Sequence, residues 1–176
     1  MTGLVRIVRA DELEALICHV YQSSTDSVIA SELSDSLDLD GFCIIPTRTV
    51  RYFDRSFEKV DFYRAALGVW KESSSAVLPK GLSCNLLLDL QTLAAQQATV
   101  AIYTELNDPD VCFVGIAREV TSAGLLLARI SSRGVYIPEP LEVSLEEITK
   151  VEFATRYLIA VGHAARTLAK NAPTPP

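Results

Sequence analysis

The stretch Gly41-Phe42-Cys43-Ile44-Ile45-Pro46 decides how the rest of the chain is read. An unbroken apolar run lies between a glycine that follows Asp38-Leu39-Asp40 and a proline. Asp-Gly supplies a residue that tolerates positive φ, so the chain turns there. Proline has no N–H to give to a ladder, so a strand ends at Pro46. A similarly bounded run, Gly134-Val135-Tyr136-Ile137-Pro138, follows Ser132-Arg133. Two such runs point to a mainly β chain whose halves follow one pattern.

Outward from the first run, residues 13–21 and 27–33 read as strands separated by the polar turn Gln22-Ser23-Ser24-Thr25-Asp26. Extended structure resumes over 49–53. The period then changes: Phe57, Val60, Tyr63 and Leu67 share one helical face, which Gly68 closes. Residues 71–81, with Ser73-Ser74-Ser75 and Pro79-Lys80-Gly81, form the clearest linker. Residues 86–97 favour helix, being rich in Leu, Ala and Gln without Gly or Pro.

The second half repeats the order: strands over 99–103, 111–116, 124–130 and 135–138, with a turn at 107–110. Ser144-Leu145-Glu146-Glu147 matches a capping box. Residues 148–153 alternate apolar and polar, as a half-buried strand does. A last helix presents Tyr157, Val161, Ala165 and Leu168 on one face. The halves overlay as 16–20 on 116–120, 28–30 on 125–127, 41–46 on 134–138, and Val50 and Phe53 on Ile148 and Val151.

Four or five short strands with glycine turns and a terminal helix suit a small barrel, whose closure removes free sheet edges. The expected fold is mainly β with flanking helices (α+β), as two tandem small barrels; an α+β sandwich is the alternative. The first barrel and its helix would occupy 1–68, a linker and helix 69–98, the second barrel and its helix 99–170, and a proline-rich frayed tail 171–176.

On these residues the chain resembles uncharacterised bacterial proteins whose halves each fold as an Sm-like or SH3-like barrel. The resemblance is carried by Asp40-Gly41-Phe42, Pro46, Val50 and Phe53 in the first half. In the second half it is carried by Phe113-Val114-Gly115-Ile116, Gly134, 148–153 and Arg156-Tyr157. It implies a fold and brings no catalytic residues. Sm-like barrels often bind RNA, which makes an Sm-like RNA-binding protein one expectation to test.

Composition narrows the function classes. Of 176 residues, 49% are apolar and 22% charged, an ordinary globular balance. Acidic residues outnumber basic ones 22 to 16, for a net charge of −6, which repels a phosphate backbone on average and favours basic partners. No stretch approaches a membrane span and no apolar leader follows Met1, so the expected location is cytoplasmic. Cys18, Cys43, Cys84 and Cys112 are scattered, as reduced, mostly buried thiols are. Their spacing does not suit zinc.

Candidate chemistry is sparse. Cys18 and His19 are adjacent, but neighbours in a strand face opposite ways, so they cannot form a dyad. His163 suits a helix C-terminal region. Glu32, Asp35, Asp38 and Asp40, like Asn107-Asp108-Pro109-Asp110, read as turn carboxylates more readily than as a calcium loop. No metal, cofactor or catalytic set is expected. The one basic-aromatic cluster is Arg48, Arg51, Tyr52 and Arg55, with Arg51, Phe53 and Arg55 on one strand face. It is the candidate ligand or partner patch, set against an ion-paired or solvated face. Trp70 is expected to seal the junction of the halves. The expected function is a non-enzymatic interaction module that self-associates or binds a protein partner, a toxin-neutralising immunity protein being one case.

Overall fold

The computed structural model describes residues 3–10, 13–69 and 78–171. Trp70, the serine-rich linker segment 71–77 and the tail from 172 lie outside the described residues. The elements are β1 (Gly3–Arg9), β2 (Leu16–Ser23), β3 (Ser27–Glu32), β4 (Phe42–Pro46), a 3-10 turn (Thr47–Thr49), β5 (Val50–Asp54) and α1 (Val60–Val69). These are followed by α2 (Leu86–Ala95), β6 (Thr99–Tyr103), β7 (Cys112–Val120), β8 (Gly124–Arg129), β9 (Leu141–Ser144), β10 (Lys150–Phe153) and α3 (Arg156–Asn171). The fold is mainly antiparallel β with three helices among the described residues.

All ten strands form one antiparallel sheet in the order β5-β1-β2-β3-β4-β10-β6-β7-β8-β9. The apolar run of β4 sits near its middle, buried along its whole length. Its side chains alternate between two cores. Cys43 and Ile45 enter a cluster with Val5, Ile7, Cys18, Val20, Val28 and Ala30. Phe42 and Ile44 enter a larger one with Ile29, the α2 leucines, Val100, Ile102, Leu125, Val151 and Phe153. A strand covered on both faces has no polar side to show, which is why its sequence runs apolar without alternation.

The α2 helix closes the larger cluster. Asn85 caps it by accepting from the Leu88 N–H, and Asp26 accepts from the Leu86 N–H at 2.6 Å. Leu86, Leu90 and Leu93 form its buried face.

The two halves use the same strand order, β5-β1-β2-β3-β4 and β10-β6-β7-β8-β9. Hydrogen-bonded details match at one constant spacing. Register shifts follow Val20 and Ala117. Ser24 N–H donates to Ser27 O, as Thr121 N–H does to Gly124 O. Bridges Leu33↔Leu39 and Ile130↔Tyr136 enclose turns with positive φ at Leu37 and Gly134.

Several expectations are corrected. The sheet is not closed: β5 and β9 stand at its two ends, so the closure expected to remove free edges is not observed. Residues 135–138 form no strand; the element in the position of β4 is β9, which starts only after Pro138-Glu139-Pro140, where two prolines lack ladder N–H groups. The 41–46 on 134–138 overlay therefore fails, and sheet position matches Leu16 with Phe113 rather than Ile116. Gly68 lies inside α1 instead of closing it. The buried face of α3 is Leu158, Gly162 and Ala165, leaving Tyr157 56% and Leu168 47% exposed. The rotation follows from Gly162, where a Cβ would stand 2.0 Å from Thr99 Oγ1, so only glycine lets α3 approach β6. Strand β1 was not expected at all.

Gly41 has φ +68, and a Cβ there would lie 2.5 Å from the Thr155 backbone nitrogen. Gly41→Ala is expected to cost more than about 2 kcal/mol through strain and displaced backbone. Gly68 has nothing within 4 Å, so Gly68→Ala is expected to stabilise by about 0.5–1 kcal/mol. Urea denaturation of both variants checks the opposite signs.

Candidate functional site

The side chains with chemistry gather where the halves meet. Strand β10 carries Lys150 and Glu152 on one face, beside Tyr103 of β6 and Cys43 of β4. Sequence alternation expected this face to be wet, yet Lys150 is only 6% exposed. Its ammonium lies 3.0 Å from Glu32 Oε2 and 2.9 Å from Glu152 Oε1. It also stands 4.3 Å from the centroid of the Tyr103 ring. Burial works to lower its pKa, but the Glu32 and Glu152 carboxylates outweigh this and hold the ammonium above its ordinary value. The Tyr103 phenol is pushed far up by burial and by Glu152. Lysine and tyrosine are thus both fixed as proton carriers, the reverse of what acid-base work near neutrality needs.

A second cluster is more deeply built. The Arg9 side chain is fully buried and grips Glu105 with both terminal nitrogens, one at 3.0 Å. Its Nη2 also donates to Thr149 O at 3.1 Å, and the Thr149 hydroxyl donates to Glu105 at 2.6 Å. Burial tends to raise the Glu105 pKa; hydrogen bonds from Arg9 and Thr149 overcome it and hold the carboxyl below its ordinary value. Arg9 comes from the unexpected strand β1. The alternation of Val5 and Ile7 with Arg6 was its available signal, but nothing in the letters marks Arg9 as the buried arginine.

The expected patch divides. Arg48 turns toward the second half, where Nη2 donates to the carbonyls of Leu145 at 2.7 Å, Glu146 at 3.1 Å and Ile148. Arg51 and Tyr52 lie on β5, an outer strand of the sheet, and Arg55 just beyond it; all three are exposed. Asp38 and Asp40, expected as turn carboxylates, both contact Arg156, and Asp40 accepts from its backbone N–H at 3.0 Å. Hydrogen bonding to Asp38 and the charge of Asp40 raise the Arg156 pKa.

The thiols are not activated. Cys18, Cys43 and Cys84 are buried, and Cys112 is exposed. The Cys18 thiol is pushed well up by its contact with Cys43 and by burial. Burial and then Glu152 raise Cys112 as well. His19 faces away from Cys18, packs its ring at a tilt of 59° against Tyr21 and has its pKa lowered by burial. Among the described residues no group of three His, Cys, Asp or Glu side chains is placed to hold a metal ion. Nor is any described helix long and apolar enough to cross a membrane.

A groove of about 410 Å³ opens over the Lys150 cluster. Glu32, Asp35, Asp40, Glu152 and Tyr157 line it, with Lys150 at its base. Asp35 and Tyr157 are its exposed members.

Arg9→Met leaves the Glu105 carboxylate without its guanidinium and is expected to cost about 3 kcal/mol. Because its folded pKa is depressed, Glu105 stabilises the fold above its ordinary value of 4.5. That contribution is lost as pH falls through the folded value. Glu105→Gln is therefore expected to flatten the acid side of the stability curve, read from urea midpoints across that range. For the thiols, iodoacetamide at neutral pH is expected to label Cys112 alone and slowly, with the rate climbing above pH 9.0, its ordinary pKa. Rapid labelling at neutral pH, followed by mass spectrometry, would contradict a protonated thiol.

No family model matches the sequence, and neither a curated protein nor a solved structure is significantly similar to it.

Proposed function

We propose that the chain is a non-enzymatic binding module made of two tandem Sm-like or SH3-like small barrels, residues 1–68 and 99–170, which docks a basic segment of a protein partner. The observation that carries the binding reading is the acidic groove over Lys150. Four carboxylates line it, and its one lysine is already held by two of them. An incoming lysine or arginine side chain meets Asp35 at the rim and the ring of Tyr157, a cation–π acceptor. A net charge of −6 draws such a partner from a distance. Protonated thiols and a fixed lysine and tyrosine favour binding over catalysis. The matched strand orders and turns support the tandem-barrel reading as an internal duplication. A toxin-neutralising immunity protein is one case of such a module.

The second reading, an Sm-like RNA-binding protein, rests on Arg51, Tyr52 and Arg55 exposed together at the β5 edge. Exposed arginines and an aromatic ring are what a single strand stacks and pairs on. The acidic balance opposes it.

A labelled arginine-rich peptide and a mixed-sequence RNA, each titrated at low and high salt, separate the two. The peptide is expected to bind, and Asp35→Asn and Tyr157→Ala are each expected to weaken it about 3- to 10-fold. Equal binding by both variants removes the groove reading. RNA binding at low salt that collapses as salt is added favours the second reading instead.

A further inference from the structure

A cavity of about 230 Å³ lies where β6 begins and β10 ends, between the C-terminal end of α2 and one flank of α3. Leu93, Phe153 and Leu158, each 1% exposed, supply apolar lining. Gln96, Gln97, Thr99 and Arg166 supply the polar groups, beside Ile159 at 60% exposure. We propose that this cavity binds a small aliphatic monocarboxylate, its chain against the apolar lining and its carboxylate on Arg166. A few convergent polar groups around an apolar floor are the usual make-up of such a site. It shares no residue with the groove over Lys150, so the two can be tested apart.

The sign of the charge selects an anion. The groove over Lys150 and the cavities beside Glu142 and Asp26 all include carboxylates in their linings. Here the lining holds Arg166 and, among the described residues, no carboxylate. Helix α3 itself carries no Asp or Glu from Arg156 to Asn171. Among the described residues Arg166 has no ion-pair or hydrogen-bond partner. Its position is fixed by Gly162: the point where a Cβ would stand is 2.0 Å from Thr99 Oγ1 and 3.4 Å from Arg166 Nη1. The guanidinium thus folds back over the glycine toward Thr99. A guanidinium and a hydroxyl converge there, both donors to a carboxylate.

Backbone strain points to the same place independently. Five described non-glycine residues have positive φ, and two of them line this cavity, Gln97 at +52 and Ala154 at +55. Gln97 follows the C-cap of α2. Ala98 N–H donates to Leu93 O at 3.0 Å and Gln97 N–H to Ala94 O at 2.9 Å, a Schellman end whose left-handed residue is usually glycine. Glycine adopts that backbone without the strain. Side chains held in strained conformations cluster at ligand clamps, and both of these form part of one wall. At about 30 Å³ per heavy atom, the share of one water in the liquid, the cavity takes about eight. That suits the chain of octanoate with its carboxylate at the arginine. Few atoms and an exposed arginine give a Kd on the order of 100 μM.

Titration of the isotopically labelled protein with sodium octanoate, followed through its amide signals, tests this. The shifts are expected to saturate and to map to 96–99, 154 and 158–166. Arg166 and Gln97 are exposed, so their variants are expected to fold. Arg166→Gln is expected to weaken octanoate about 10-fold and to leave octanol, the same chain without charge, unaffected. Gln97→Gly is expected to raise the urea midpoint by removing strain while weakening octanoate about 3-fold. No movement of the cavity signals up to about 5 mM octanoate overturns the proposal. So does octanol binding as tightly as octanoate, or an Arg166→Gln chain with undiminished affinity, since either removes the carboxylate from the contact. A Gln97→Gly chain that gains stability and keeps full affinity shows that the strain serves something else and overturns the assignment of this wall.

Discussion

Strand β4 is covered on both faces, and the rest of the molecule is arranged around that constraint. Its odd and even side chains serve two cores at once, while its two backbone edges pair with β3 and β10. Among the described strands, β4 with β10 is the pairing that joins the halves. Full burial of one isoleucine or phenylalanine side chain is worth about 1.5–3 kcal/mol. Phe42, Ile44 and Ile45 together therefore outweigh any single polar contact at the junction. The larger core cannot close without Phe42 and Ile44, because half of its lining belongs to β6, β8, β9 and β10. Stability of the second half thus depends on a strand from the first.

Polar contacts across the junction add specificity on top of this apolar base. Arg9, Arg48, Lys150 and Arg156 each reach from one half to groups of the other. They are not equal in weight. Arg156 is exposed and its pairs with Asp38 and Asp40 are screened, so they orient α3 more than they hold it. Arg9 is fully buried, and the cost of desolvating a guanidinium is met only because Glu105 and Thr149 supply acceptors in a fixed geometry. Removing one partner of such a set is costly, whereas the set as a whole need contribute little net stability. Its effect is to fix one relative placement of β1 against the turn before β10.

Much of the strand order was legible because short apolar runs bounded by Gly, Pro and Asp-rich turns have few other interpretations. What failed has identifiable physical causes. Gly134-Val135-Tyr136-Ile137-Pro138 imitates the letters of β4, but its register position is a turn enclosed by the Ile130↔Tyr136 bridge. Composition cannot distinguish a bridge from a strand. The face of α3 was misjudged because the contact that orients it is the absence of a side chain at Gly162, which carries no hydrophobic signal. The Lys150 and Arg9 clusters were invisible for a related reason. Alternation identifies a polar face, but only the tertiary fold decides whether that face meets water or another half of the same chain.

The charges left over after this internal pairing are what distinguish the surfaces. Lysine and arginine are few, and Arg9, Arg48 and Lys150 are taken up at the junction. Glu32, Glu105 and Glu152 are taken up with them, and Asp35 at the groove rim and Glu139 and Glu142 by β9 are among the carboxylates left exposed. Exposed cations and aromatic rings occur together at the β5 edge, with Arg51, Tyr52 and Arg55, and at the start of α3, with Arg156 and Tyr157. The junction matches its cations with carboxylates of both halves, Arg9 with Glu105, Lys150 with Glu32 and Glu152, and Arg156 with Asp38 and Asp40, so the acid excess of the sequence is left to the rest of the surface.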